Sequence, residues 1–176
     1  MPLKIAQLGQ PVLRQVAAEV PVAEIASAEF QNFLDEMAAT LEAAEGAGLA
    51  APQVYVSRRV FLAAVLPALE EDGPPEIECF INPRLTFTTA EETGAWEGCL
   101  SFPELLVLVP RPRQVRIEYL NARGEASALD LEGFAASVVQ HEFDHLEGIL
   151  TLDRAQSARH IIKASEAAET LGMPTA

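Results

Sequence analysis

Cysteine, histidine and basic side chains are all scarce in this chain, and each scarcity narrows what it can be. Its 176 residues contain two cysteines, Cys79 and Cys99, too few for a disulfide framework, so the fold must rest on its core. Lys and Arg total 12 against 26 Asp and Glu, a formal charge of −14. That balance excludes an extended nucleic-acid surface, because phosphates would meet repulsion rather than neutralisation. The excess acid reads instead as a solvated surface that favours solubility. No run approaches the ~18 consecutive apolar residues of a membrane span. The Met1-Pro2-Leu3-Lys4 start has no apolar signal core, so a cytoplasmic protein without membrane contact is expected.

What is present is apolar content, 49% of the residues, enough for one domain over residues 1–176 to bury a real core. Phe30, Phe33, Leu34, Met37 and Leu41 recur at three- and four-residue steps and predict a helix over 28–45, with Ser27 as N-cap and Gly46 as stop. Strands are expected at 60–65, 78–81, 84–88, 105–109, 115–119 and 126–131, with Asn121-Ala122-Arg123-Gly124 turning the last two into a hairpin. Residues 70–75 read as an acidic surface loop. A second helix follows over 134–146, and a third over 155–171, ended by Gly172 and Pro174. With no internal repeat, the pattern is that of an α+β domain: mainly antiparallel strands around a central helix, with helices towards both ends.

Two of the three histidines stand four residues apart, in His141-Glu142-Phe143-Asp144-His145. On a helix that spacing stacks them on one face, where both imidazoles can grip one ion. Glu142 lies about 100° round the axis and can reach a water beside the ion without ligating it. Two ligands and a general base predict a metal-dependent hydrolase. A metzincin would carry a third histidine where Thr151 stands, which excludes that class. Glu166 or Glu169 could serve as a glutamate ligand, but Cys99, in Glu97-Gly98-Cys99-Leu100-Ser101, is the better candidate, leaving a fourth tetrahedral position for water.

Three segments in order then carry a resemblance: Gly46-Ala47-Gly48-Leu49-Ala50-Ala51-Pro52-Gln53, Glu97 to Ser101, and Gln140-His141-Glu142-Phe143-Asp144-His145-Leu146. The chain resembles the peptide deformylases over about residues 8–154, extended by Pro11-Val12-Leu13-Arg14 and Gly148-Ile149-Leu150. The resemblance implies removal of the formyl group from the N-terminal formylmethionine of new polypeptides, with Cys99, His141 and His145 as ligands and Glu142 as acid and base. It assigns the developing oxyanion to the Gln53 side-chain amide and the Leu100 backbone N–H. It lines a methionine pocket with Ala47, Gly48, Ala95, Leu100, Phe134 and Val138. Gly46 and Gly48, having no Cβ, let a peptide backbone approach and pair. The ligand set by itself suits Zn(II), whereas the resemblance points to Fe(II) as the native ion, with Ni or Co as working substitutes.

Other residues invite plainer readings. Cys79 should be a buried core thiol and His160 an exposed helix residue. Phe134 and Val138 are equally good as core. Asp144 is expected to pair with Arg111 or Arg113, and Glu97 to orient its loop through an arginine. In many bacterial members of the family a C-terminal helix is linked to docking near the ribosomal exit. Here the helix carries Arg159 and Lys163 but also Glu166 and Glu169, a mixed charge that favours packing against the body of the protein. Two alternatives remain: a peptidase using His141, His145 and Glu166, and a deformylase-like protein without turnover. Elemental analysis of two variants separates the ligand sets: Cys99→Ala should lose most of its metal and Glu166→Gln should keep it. Full occupancy in Cys99→Ala would favour the peptidase.

Overall fold

The computed structural model describes residues 2–66, 75–87 and 89–171. Along these the chain forms α1 (Val22–Ile25), α2 (Ala28–Ala43), β1 (Gly48–Ala50), β2 (Val60–Leu66), β3 (Glu76–Phe87), β4 (Glu92–Glu97) and β5 (Leu105–Pro112). It continues through β6 (Gln114–Leu120), β7 (Ala126–Glu132), α3 (Gly133–Leu146), α4 (Thr151–Arg154), β8 (Ile161–Lys163) and α5 (Ala167–Leu171). One sheet has the order β1-β2-β3-β6-β7 and the other β4-β5-β8, and every pairing within them is antiparallel. Helix α3 packs against strands of both sheets, so it sits where the two meet. The architecture is the expected α+β one.

Strand alternation explains how the larger sheet carries helices on two faces. Phe61, Ala63 and Phe80 point towards α3, joining Ala136, Val139 and Leu146; Phe61 and Phe80 stack with centroids 4.7 Å apart. Their neighbours Val60, Leu62, Cys79 and Ile81 point the other way, onto Leu34, Met37 and Leu41 of α2. Each fully buried aromatic or aliphatic side chain contributes about 1.5–3 kcal/mol, so both helices are held mainly by apolar burial. Cys79 belongs to this core, and burial pushes its thiol up to about 12, leaving it un-ionised.

Helix α2 begins at Ser27, whose Oγ accepts the Phe30 N–H at 3.2 Å. It ends in a left-handed turn: the Glu45 N–H donates to Glu42 O and the Gly46 N–H to Leu41 O, with Glu45 at φ 50°. Gly46 is thus delivered to the start of the loop that becomes β1. The turn at Asn121–Gly124 joins β6 to β7, with Gly124 at φ +76°.

Several boundaries differ from expectation, each for a local reason. The strands expected at 78–81 and 84–88 are one strand, β3, carried through an irregularity between Ile81 and Arg84. Pro83 removes a ladder donor there, and Asn82 takes φ 49°. The Asn82 side chain accepts the Val20 N–H and donates to Val20 O, both at 2.8 Å, pinning the N-terminal segment to the sheet. Strand β4 has no counterpart among the expected elements: Glu92-Thr93-Gly94-Ala95 is exposed and shows no apolar alternation, so pairing with β5 rather than burial defines it. The helix expected over 155–171 is confined to α5. The β-branched Ile161 and Ile162 instead form β8 on the edge of β5, Ile162 opposite Leu106 and Ile161 opposite Val107. His160 accordingly lies half-buried on a 3-10 turn, not on an exposed helix. The loop at 70–75, apart from Pro75, lies outside the described residues, as do Thr88, Gly172 and Pro174.

Replacing Asn82 removes two hydrogen bonds and puts a side chain with no local partner into left-handed backbone. Asn82→Ala should lower unfolding stability by about 2–4 kcal/mol in urea titration. A loss under about 0.5 kcal/mol would mean the Val20 clamp contributes little.

Candidate metal centre

Two segments from opposite parts of the fold supply the site. Cys99 follows β4 in the turn that leads to β5, while His141 and His145 lie one helical turn apart on α3. Their donor atoms all fall within 4.8 Å of one another, and all three residues are buried. Cys99 Sγ lies 3.3 Å from His145 Nε2. Ligand bonds of about 2.0–2.3 Å in a tetrahedral site imply donor–donor edges of about 3.3–3.6 Å, so the spacing fits a single ion.

The charge state fits as well. Burial works against a charged His141, yet hydrogen bonding to Cys99 and Glu97, with the charge of Glu142, raises it to about 10. Burial, aided by the His141 charge, pushes His145 well below the ordinary histidine range. The two shifts oppose each other, the charged form being favoured at His141 and the neutral form at His145, so a bound cation would replace a single proton there. His141 Nδ1 lies 3.0 Å from Glu97 Oε2. Donation to that carboxylate fixes the tautomer and leaves Nε2 for an ion.

Glu97 is held in turn by Arg111, through Nε–Oε1 at 2.5 Å and Nη2–Oε2 at 2.9 Å, and by the Ser137 hydroxyl at 3.2 Å. Burial opposes its charge, but hydrogen bonds from His141 and Arg111 lower its carboxyl to about 2. Arg111 also donates to Asp144 at 3.0 Å, and Arg154 binds the same carboxylate at 2.6 and 3.1 Å. The expected arginine partner of both Asp144 and Glu97 is thus Arg111, not Arg113. Nothing in the sequence pattern singles out Arg154; its signal, a basic residue shortly beyond the helix that carries Asp144, is too common to be selective.

Around the donors lies a cavity of about 630 Å³. Gly46, Ala47, Gly48, Gln53, Ala95, Leu100, Phe134, Val138 and Glu142 all border it, so every proposed catalytic and substrate-binding residue converges there with Cys99 and His141. Val138 is also part of the core under the larger sheet, while Phe134 is 73% exposed and belongs to the cavity rim rather than to the core. Glu166 is exposed on a 3-10 turn and is not among the clustered donors, which removes the glutamate-ligand alternative.

Gln53 is locked in orientation. Its Oε1 accepts the Ala50 N–H at 2.8 Å, while Nε2 points to Ser101 Oγ at 3.3 Å and Cys99 Sγ at 3.6 Å. Buried Ser101, present in the motif but given no role from sequence, is what steers that amide. The N-terminal segment braces the same loops, the Ala6 N–H donating to Gln53 O and the Leu8 N–H to Ser101 O. Burial raises the Glu142 carboxyl to about 7, and its Oε2 has no hydrogen-bond partner among the described residues. A carboxyl group in that condition is suited to taking and returning a proton near neutral pH.

Comparison with known proteins agrees with this geometry. The polypeptide deformylase family model matches residues 2–160. Peptide deformylase 2 of a Nostoc species is 41% identical over 166 residues, covering 93% of this chain and 92% of the relative. The structure of a class I type b peptide deformylase from Acinetobacter baumannii bound to Met-Ala-Ser superimposes with a TM-score of 0.80 at 37% identity, covering 88% of this chain and 99% of that one. Peptide deformylase from Thermotoga maritima gives 0.79 at 38% identity, covering 89% and 99%.

A Cβ added at Gly48 would stand 2.5 Å from Glu142 Oε1 and 2.7 Å from its Cγ, so the bare backbone is what leaves room for the carboxylate. Gly48→Ala should therefore displace Glu142 and lower kcat at least about 10²-fold while metal content stays near one ion per chain. Unchanged kcat in that variant would show that the carboxylate's position is not critical.

Proposed function

The chain belongs to the polypeptide deformylase family, and from that premise we propose how its own residues remove the formyl group from the N-terminal formylmethionine of newly made polypeptides, releasing formate. The observation that carries the reading is the cluster of Cys99, His141 and His145, two of which border one cavity together with Gln53 and Glu142. The 176 residues act as one catalytic domain.

A divalent ion held by Cys99, His141 and His145 would supply Lewis-acid polarisation of the formyl carbonyl and lower the proton affinity of the attacking water. Glu142 takes the water's proton and passes it to the departing amine. As negative charge develops on the former carbonyl oxygen, the Gln53 Nε2–H and the Leu100 N–H receive it; the Gln53 amide is held before the reaction and needs no reorganisation. The Gln53 amide is supported in this by its bonds to Ala50 and Ser101. Gly46 and Gly48 admit the substrate backbone, and Ala47, Ala95, Leu100, Phe134 and Val138 receive the methionine side chain. Met-Ala-Ser, bound in the Acinetobacter relative, begins with the residue whose formyl group such a reaction removes.

The substrate places the enzyme in the cytoplasm, meeting nascent chains with at most transient ribosome contact. Among the described residues no helix is long and apolar enough to cross a membrane. The pairing of β8 with β5 supports a C-terminal segment that packs on the body rather than projecting to a ribosome. Fe(II) is the proposed native ion, with Zn, Ni or Co able to occupy the same donors.

Two measurements test these assignments. Glu142→Ala should keep its ion but release formate from a formyl-Met peptide at least about 10²-fold more slowly; near-normal release would assign the proton to another group. Protein loaded anaerobically with Fe(II) should outperform the Zn form and be inactivated by peroxide, with Ni or Co protein more robust. Equal activity of Fe(II) and Zn forms, with neither sensitive to peroxide, would exclude iron as the functional choice here.

A further inference from the structure

The cavity is larger than a methionine pocket needs, and its outer part is chemically different from its floor. Besides His141, its lining includes two acidic and two basic side chains, Glu97, Glu142, Arg111 and Arg113. Glu97 and Arg111 are buried and paired with each other, and Glu142 faces the metal donors. Arg113 alone is exposed, and among the described residues its guanidinium takes part in no hydrogen bond or ion pair. Its main chain, by contrast, is tied down on both sides: the N–H donates to Glu91 O, and the carbonyl accepts from the Gly133 N–H at the start of α3. The result is a cation on an anchored backbone beside Phe134, Thr93 and Pro112, at the cavity rim of a protein with a net charge of −14.

Among the described residues no carboxylate, that of the adjoining Glu91 included, lies within ion-pair distance of it. Glu132 receives the side chain of Gln114, and Glu92 lies opposite Pro112 in the β4–β5 register without an ion pair to Arg113. A peptide whose methionine fills the inner pocket must leave across the rim. Resting on the deformylase reading, we infer that Arg113 is a specificity-determining residue that favours substrates with an acidic side chain at the first or second position after methionine, and disfavours lysine there. The interaction is solvent-exposed, so it is modest, sensitive to salt, and felt in binding rather than in the chemical step.

The test uses metal-loaded enzyme and C-terminally amidated formyl-Met tripeptides carrying Asp, Ala or Lys at each of the two positions. At low ionic strength the wild type should show kcat/KM for Asp over Lys of roughly two- to ten-fold at one of them, expressed in KM. The ratio should shrink at high salt and reverse in Arg113→Glu, while Arg113→Lys should retain its direction. No charge preference, a preference for Lys, or a ratio that Arg113→Glu leaves in place would overturn the inference while leaving deformylation standing. Absence of formate from every peptide would overturn the deformylase reading and this inference with it.

Discussion

Arg111 is the interaction on which the site depends. The thiol and the two imidazoles come from different elements, and an ion tolerates only small errors in donor position. Arg111 spans that gap: one side of its guanidinium grips Glu97, next to the Cys99 turn, and the other grips Asp144 on the histidine helix. With the exposed Arg154 also on Asp144, two arginines meet two carboxylates, so the charges within this group of four balance. Burying such ions has little value for net stability, and deleting one partner costs about 3–5 kcal/mol because the others are stranded. The value of the arrangement lies in position: Glu97 orients His141, and Arg111 orients Glu97.

Around that charged tie the rest of the fold supplies rigidity and room. The Phe61 and Phe80 stack supports one side of α3, and the α2 face of the same sheet fixes the turn from which Gly46 and Gly48 emerge. Gly48 passes so close to Glu142 that strand and carboxylate share one space. Burial raises the Glu142 carboxyl to about 7, while a locked glutamine amide lies beside the thiol. Catalytic competence here is a consequence of packing, since each reacting group is held by neighbours that do no chemistry themselves.

The metal helix and the three motif segments are legible in the sequence because their chemistry imposes local spacing: two ligands four apart on one helix face, a thiol in a short turn, glycines where backbone must approach. The long helix α2 is legible for the same reason, in its apolar period. What escapes is decided between segments. The apolar run by itself ends β5 at Val109; carried on to Pro112, the strand's alternation puts Arg111 on the buried face shared by Val107 and Val109, while Arg113 falls just past the strand's end and is exposed. Strand β4 has no burial pattern to betray it, and the isoleucines of β8 fit a helix or a strand until the edge of β5 is present to receive them.

A cavity beside an ion held by Cys99, His141 and His145 should cut a formyl amide and not a peptide bond. Product analysis of a formyl-Met tripeptide, treated anaerobically with protein carrying one ion per chain, tests it most directly. The expected products are one formate for each intact tripeptide bearing a new free amine, with no reaction after chelation of the ion. Cleavage between the amino-acid residues, or undiminished formate release from metal-free protein, would contradict it.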